Sequence, residues 1–183
     1  MQNFLNKNVL LCVTGGIAAY KSAEIIRLFK KEAADVRVVM TDSAKEFITP
    51  LTLQAISGNE IHDSLLDIKA ESAMGHIELA KWADIILIAP CTAESMSKIA
   101  HGRADDLMGA LILASNAETY IAPAMNMNMW LAREHISIHR KHVLVDDLAI
   151  LGCGGALPFY GRYVFSEEEL AGFLEDSVRN VPY

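Results

Sequence analysis

Residues 8–19 read NVLLCVTGGIAA. The first six form an apolar run of strand length, and Thr14, Gly15 and Gly16 follow as a tight turn. Beyond this turn, apolar residues recur at helical spacing from Tyr20 to Phe29. The stretch therefore predicts a strand, a glycine turn and a helix in that order.

The rest of the chain repeats this alternation. Further strands are predicted at Val36–Met40, Asp84–Ala89, Thr119–Ala122 and Val143–Val145. Helices are predicted after the Thr49-Pro50 pair, after Asp105 as a cap, and from Ser166 near the end of the chain. Alternation of strands and helices predicts an α/β fold with three layers, a doubly wound parallel sheet of the Rossmann or flavodoxin-like kind.

Length and composition indicate one domain over residues 1–183. The chain is 52% hydrophobic, enough to bury a substantial core. Its net charge is −7 and its basic residues are scattered, which argues against a nucleic-acid or membrane partner and favours a small molecule or a protein. No hydrophobic run is long enough to span a membrane.

The cysteines and histidines give no pattern typical of a metal site. Cys12, Cys91 and Cys153 are far apart in the sequence, so neither a disulfide framework nor a zinc site is expected. Cysteines without a disulfide pattern predict a cytoplasmic location. His135 and His139 are four residues apart, but a third ligand is missing from the pattern.

Small and hydroxylated residues follow three of the predicted strands. The first turn offers Gly15 and Gly16 at a helix start, where backbone N–H groups and the helix dipole favour an anion. Hydroxyls follow the second and the central strands, and the carboxyl ends of parallel strands share one crevice. A phosphorylated cofactor is favoured, while tight-turn glycines and helix caps remain the alternative at each position.

Two further segments carry candidate chemistry. His76 stands alone before the central strand, where a surface or core histidine is the ordinary reading. Asn126 lies in PAMNMNMW at residues 123–130, directly after a strand. An asparagine placed there can hold a carboxylate or an amide, although methionine-rich segments usually fill cores. Residues 152–161 are rich in glycine and aromatic residues and read as a mobile loop.

Several segments, in this order, resemble the homo-oligomeric flavin-containing cysteine decarboxylases, and most closely their coenzyme A branch. The matching segments are VTGGIAAYK at 13–21, MT at 40–41, FITPL at 47–51, GHI at 75–77, AP and TA at 89–93, ADDL at 104–107 and PAMN at 123–126. The likeness runs from about Val9 to Cys153. It implies trimers, assembled further into dodecamers, and a synthetase, fused or separate, as partner.

The resemblance also implies a cofactor and roles for individual residues. FMN is expected in the crevice, and the implied catalytic residues are His76, Asn126 on the substrate carboxylate, and Cys153 late in the reaction. The implied cofactor contacts are Gly15, Gly16, Ile17, Ala18, Thr41, Ser43, Thr92, Ala93, Glu94, Ser95, Asp106 and Met125.

The implied activity is FMN-dependent decarboxylation of phosphopantothenoylcysteine to phosphopantetheine through thioaldehyde and enethiol stages, with Cys153 favouring the saturated product. The alternatives are oxidative decarboxylation of a peptide's C-terminal cysteine and a non-catalytic flavin-binding regulatory subunit. Two features depart from the family pattern: Glu94 stands where asparagine is usual, and Leu157 to Tyr160 lengthen the loop after Cys153.

Overall fold

A computed structural model describes residues 4–65, 75–126, 128–129 and 143–145. These residues form a six-stranded sheet in which each adjacent pair of strands is parallel, in the order β3-β2-β1-β4-β5-β6. The strands are β1 (Asn8–Val13), β2 (Asp35–Met40), β3 (Ile61–His62), β4 (Ile85–Cys91), β5 (Glu118–Pro123) and β6 (Val143–Val145). The order reverses between β1 and β4, as in a doubly wound fold.

Helices connect these strands. A 3-10 helix at Ile17–Lys21 leads directly into α1 (Ser22–Lys31), and a short α2 (Asp42–Lys45) and α3 (Pro50–Ser57) follow β2. The helices near β4 and β5 are α4 (His76–Trp82), α5 (Ala93–His101) and α6 (Leu107–Ala114).

The sheet is covered on both faces, which explains the continuous apolar runs of its central strands. On β1, Leu11 packs in one buried cluster with Phe29 of α1 and Leu53 of α3. The alternate residue Leu10 packs in the opposite cluster with Leu111 of α6. Because side chains alternate across a strand, one short run of β1 supplies both halves of the core.

The predicted fold class is confirmed, and the predicted strands agree with the observed ones to within one residue at each end, except that β4 continues two residues beyond the predicted end at Ala89 to Cys91. The helix cap assigned to Asp105 is wrong. Asp106 caps α6 instead, because its Oδ1 accepts a hydrogen bond of 2.7 Å from the Gly109 N–H. The strand β3 and the helix α4 were not predicted. The predicted helix from Ser166 and the loop at 152–161 lie outside the described residues.

The ends of β1 and β4 are joined by the buried side chain of Thr14. Its hydroxyl donates to the Pro90 carbonyl oxygen at 2.6 Å, and its Oγ1 accepts from the Thr92 N–H at 3.2 Å. The Ala89-Pro90 peptide bond is cis, and the register between β4 and β5 shifts between Ile88 and Cys91. The hydroxyl thus satisfies backbone groups at an irregular strand end.

Two free thiols, Cys12 and Cys91, are buried in the same cluster on the α6 side of the sheet. Burial raises the pKa of Cys12 from about 9 to about 12, and the nearby Asp106 carboxylate adds to this rise. Burial also raises the pKa of Cys91. Both thiols are therefore expected to be protonated and unreactive at neutral pH.

Within the described part of the chain, none of the helices has the length and apolar character that crossing a bilayer requires.

Replacing Thr14 with Val is expected to lower the free energy of unfolding by about 2–4 kcal/mol, because it removes the partner of one buried carbonyl and one buried N–H. Urea unfolding measures the loss. Thr119→Val is the matched control, since Thr119 is also buried and its hydroxyl, within the described residues, donates one long bond of 3.4 Å to the Ala117 carbonyl oxygen. Equal losses in the two variants would show that the Thr14 bridge contributes nothing particular.

The free energy of unfolding is expected to fall above pH 9. From there to about pH 12 the folded state keeps the Cys12 proton that the unfolded state releases, so stability decreases as pH rises. Cys12→Val removes this contribution, which amounts to about 1.4 kcal/mol per pH unit for one thiol. Urea unfolding from pH 7 to pH 10.5 compares the slopes. If the free energy of unfolding of the parent and of Cys12→Val fell with the same slope above pH 9, the expectation would be contradicted.

Candidate functional site

The strand order reverses between β1 and β4, so a crevice is expected beyond the carboxyl ends of these two strands. Ligands of doubly wound sheets bind at such a position. We define the crevice by the turns that border it: residues 14–17 after β1, 41–43 after β2 and 92–95 after β4. The Thr14 bridge fixes the first of these turns to the third.

The two glycines of the first turn have different surroundings. A Cβ added to Gly15 would lie 2.5 Å from Ser43 Cβ and 2.6 Å from Ser43 Oγ. A Cβ added to Gly16 would meet nothing within 4 Å. Gly15 is therefore required by the contact between two turns, whereas Gly16 borders open space.

The 3-10 helix after Gly16 has no side-chain cap, so its first N–H groups are available for an anion. Ile17 is 58% exposed here, whereas Ala18 is buried. Two hydroxyls lie beside this turn, because Ser43 packs against Gly15. Ser43 is exposed, and its Oγ is 3.1 Å from Thr41 Oγ1. This side of the crevice therefore offers neutral hydrogen-bond donors.

The turn after β4 is occupied mainly by a helix cap. Thr92 caps α5, its Oγ1 accepting from the Ser95 N–H at 3.2 Å, and the two hydroxyls are 2.9 Å apart. Ser95 is buried and Ala93 is half-buried. Of the four residues predicted as cofactor contacts in this turn, Glu94 is the one whose side chain is exposed.

Asp106 and Met125 were also predicted as cofactor contacts. Among the described residues, both side chains make contacts that stabilise the fold. Asp106 caps α6 and binds Lys98 Nζ at 2.8 Å, and the hydrogen bond to Asp106 is the main reason that the pKa of Lys98 is raised. Met125 is buried in the cluster on the α6 side. Gly109 of α6 lies against the loop that contains Arg103. A Cβ at this position would collide with the Arg103 carbonyl oxygen, so the glycine allows the loop to lie close to α6.

Two of the three candidate catalytic residues, His76 and Asn126, lie at the same edge of the sheet. His76 is the half-buried first residue of α4, which precedes β4 and therefore starts at the carboxyl edge. Asn126 is exposed just after β5, and its Oδ1 accepts from the Asn128 N–H at 2.8 Å. This bond directs the amide nitrogen away from the turn, as a donor. Cys153 lies outside the described residues.

Sequence reasoning missed Thr14, which joins the strand ends, and Lys98, which holds Asp106. A threonine at the end of an apolar strand was the available signal for Thr14, but its partner is 76 residues away along the chain. Among the described residues, no group of three or more His, Cys, Asp or Glu side chains is placed to hold a metal ion.

A family profile described as Flavoprotein matches residues 2–153. Over 137 residues the chain is 57% identical to the coenzyme A biosynthesis bifunctional protein CoaBC of Haemophilus influenzae, covering 75% of this chain and 33% of that protein. The present chain thus spans about a third of the length of the curated relatives that it matches.

Two solved structures are also similar. The FMN-dependent cysteine decarboxylase SpaF has a TM-score of 0.64 and 32% identity, covering 69% of this chain and 73% of that chain. A mutant PPC decarboxylase has a TM-score of 0.66 and 25% identity, covering 96% of this chain and 100% of that chain.

The two adjacent glycines are expected to differ in their tolerance of alanine. Gly15→Ala should lower the free energy of unfolding by about 1–3 kcal/mol, since its methyl group overlaps Ser43. Gly16→Ala should stay within about 0.5 kcal/mol of the parent, because its methyl group enters open space. Thermal and urea unfolding of both variants measure this. Equal destabilisation would contradict the assigned difference.

Proposed function

This chain belongs to the flavoprotein family, and from that premise we propose that it binds FMN in the crevice and decarboxylates phosphopantothenoylcysteine to phosphopantetheine. The observation that carries the proposal is the high identity to the bifunctional coenzyme A biosynthesis proteins. The matched third of those proteins is the share that we assign to decarboxylation. A synthetase, fused or separate, is the partner that their bifunctional character suggests.

The residues of the crevice fit FMN. The open space at Gly16, the uncapped N–H groups that follow it and the exposed Ser43 hydroxyl suit a phosphate, which needs donors. The exposed Asp42 carboxylate on this side is paired with Lys45 Nζ at 2.9 Å. The β4 side carries Glu94 and suits the uncharged ring system instead. The N–H and hydroxyl donors beside Gly16 would therefore orient the cofactor, with its phosphate at the turn after β1.

When bound, FMN would accept a hydride from the substrate carbon that bears sulfur and return one after CO2 has left. The chain's own residues bind the substrate and move its protons. Asn126 would donate from Nδ2 to the substrate carboxylate, since its Oδ1 already accepts from Asn128. His76 would take the thiol proton. Cys153 would return a proton to give the saturated product.

A homo-oligomer is part of the proposal, with trimers and dodecamers as the forms that the family resemblance implies. Large apolar side chains are exposed on the segments next to the crevice: Ile17, Tyr20, Phe47 and Leu51. Leu51 is 73% exposed. Large apolar side chains with this degree of exposure supply the kind of surface that another subunit covers. We also propose a cytoplasmic location, which the free thiols of Cys12 and Cys91 support.

A second candidate is oxidative decarboxylation of a C-terminal cysteine in a peptide. The likeness to SpaF, a cysteine decarboxylase, favours it. The two activities differ in product. The second candidate releases the enethiol, which needs no return of hydride, whereas the first returns a hydride and releases the saturated thiol.

The test is anaerobic incubation of FMN-loaded protein with phosphopantothenoylcysteine, followed by mass spectrometry. We expect CO2 and saturated phosphopantetheine from the parent, and accumulated enethiol from Cys153→Ser, which lacks the proton donor. Cys12→Val is the control, since this thiol is buried in the core and should not affect the product.

Bound FMN without CO2 release from this substrate would overturn the proposed activity. Release of CO2 and enethiol from a peptide that ends in cysteine would then establish the second candidate. The expected amount is one equivalent per bound FMN without oxygen, and continued turnover when oxygen is admitted to reoxidise the flavin.

A further inference from the structure

Glu94 lies in the first turn of α5, two residues after the Thr92 N–H that bonds to Thr14. The Thr14 contact fixes this turn to the end of β1, so Glu94 lies on the β4 side of the crevice. Its side chain is exposed. A carboxylate is therefore present where the bound ring system is expected.

Among the described residues, no cation neutralises the charge of Glu94. Lys98, one turn further along α5, is bound to Asp106 at 2.8 Å and lies 3.5 Å from Asp105. The Thr92 hydroxyl is used by Ser95. In the part of the chain that the structure describes, no ion pair joins a cation to Glu94.

We infer that the Glu94 carboxylate lowers the reduction potential of flavin bound in the crevice. The inference rests on the proposed function. Reduction of flavin by two electrons and one proton gives an anionic hydroquinone, and a nearby negative charge disfavours that anion. At the separations possible inside one crevice, the effect on the equilibrium constant for reduction is on the order of tenfold.

A lower potential favours the step that distinguishes the two candidate activities. The reduced flavin becomes a stronger hydride donor, which assists return of the hydride to the product and so favours saturation over release of the enethiol. Glu94 thus acts on the fate of the intermediate, while Asn126 and His76 act on the substrate itself.

A helix-capping role is the structural alternative, since an acidic residue in a first turn stabilises the helix through its dipole. That role would alter stability but not the flavin potential. The midpoint potential therefore separates the two explanations.

The experiment measures the midpoint potential of bound FMN by anaerobic reductive titration against an indicator dye. Glu94→Gln should raise it by the equivalent of about tenfold in the equilibrium constant, which is about 30 mV for a two-electron couple. Glu94→Asp keeps the charge and should stay near the parent. Glu60→Gln is the matched control, because Glu60 is exposed before β3, at the opposite edge of the sheet.

An unchanged potential in Glu94→Gln, or an equal shift in Glu60→Gln, would overturn the inference. Loss of FMN from Glu94→Gln would also overturn it, because the carboxylate would then serve to retain the cofactor. Failure of the parent protein to bind FMN is a separate result and would overturn the proposed function.

Discussion

The bridge made by Thr14 is the constraint on which the site depends. At the reversal in a doubly wound sheet, the chain leaves the two adjacent strands in opposite directions. No direct connection along the chain therefore keeps their ends together. Here one buried hydroxyl satisfies both a carbonyl and an N–H of the β4 end. Ser22 adds a 3.2 Å bond to the Ala89 carbonyl. These bonds hold the crevice walls at a fixed separation.

Close backbone contacts extend this arrangement to the neighbouring turns. Gly15 lets the turn after β1 lie against Ser43, and Gly109 lets the loop at Arg103 lie against α6. In both cases the absence of a Cβ is needed for packing rather than for an unusual backbone angle. The polar groups that border the crevice are thus positioned by the close packing of backbone segments on one another.

The sequence was sufficient for the features that depend on local pattern. Buried strands are visible as apolar runs such as β4, and the start of α3 at the Thr49-Pro50 pair was correctly predicted. Features that depend on contacts distant in sequence were not accessible. The cap of α6 fell on Asp106 rather than Asp105 because Lys98, on another helix, holds it. Nothing local separates Gly15 from Gly16, and their neighbours in space decide the difference.

The β3 edge of the sheet is only two residues long. An edge this short presents few unpaired backbone groups, so it is a poor template for strand addition by another chain. At this edge, copies of the protein that associate would therefore do so through side chains on turns and helices, whose shapes are specific, rather than by continuing the hydrogen-bonded ladder. The same brevity protects a Val- and Ile-rich sheet from growing into fibrils.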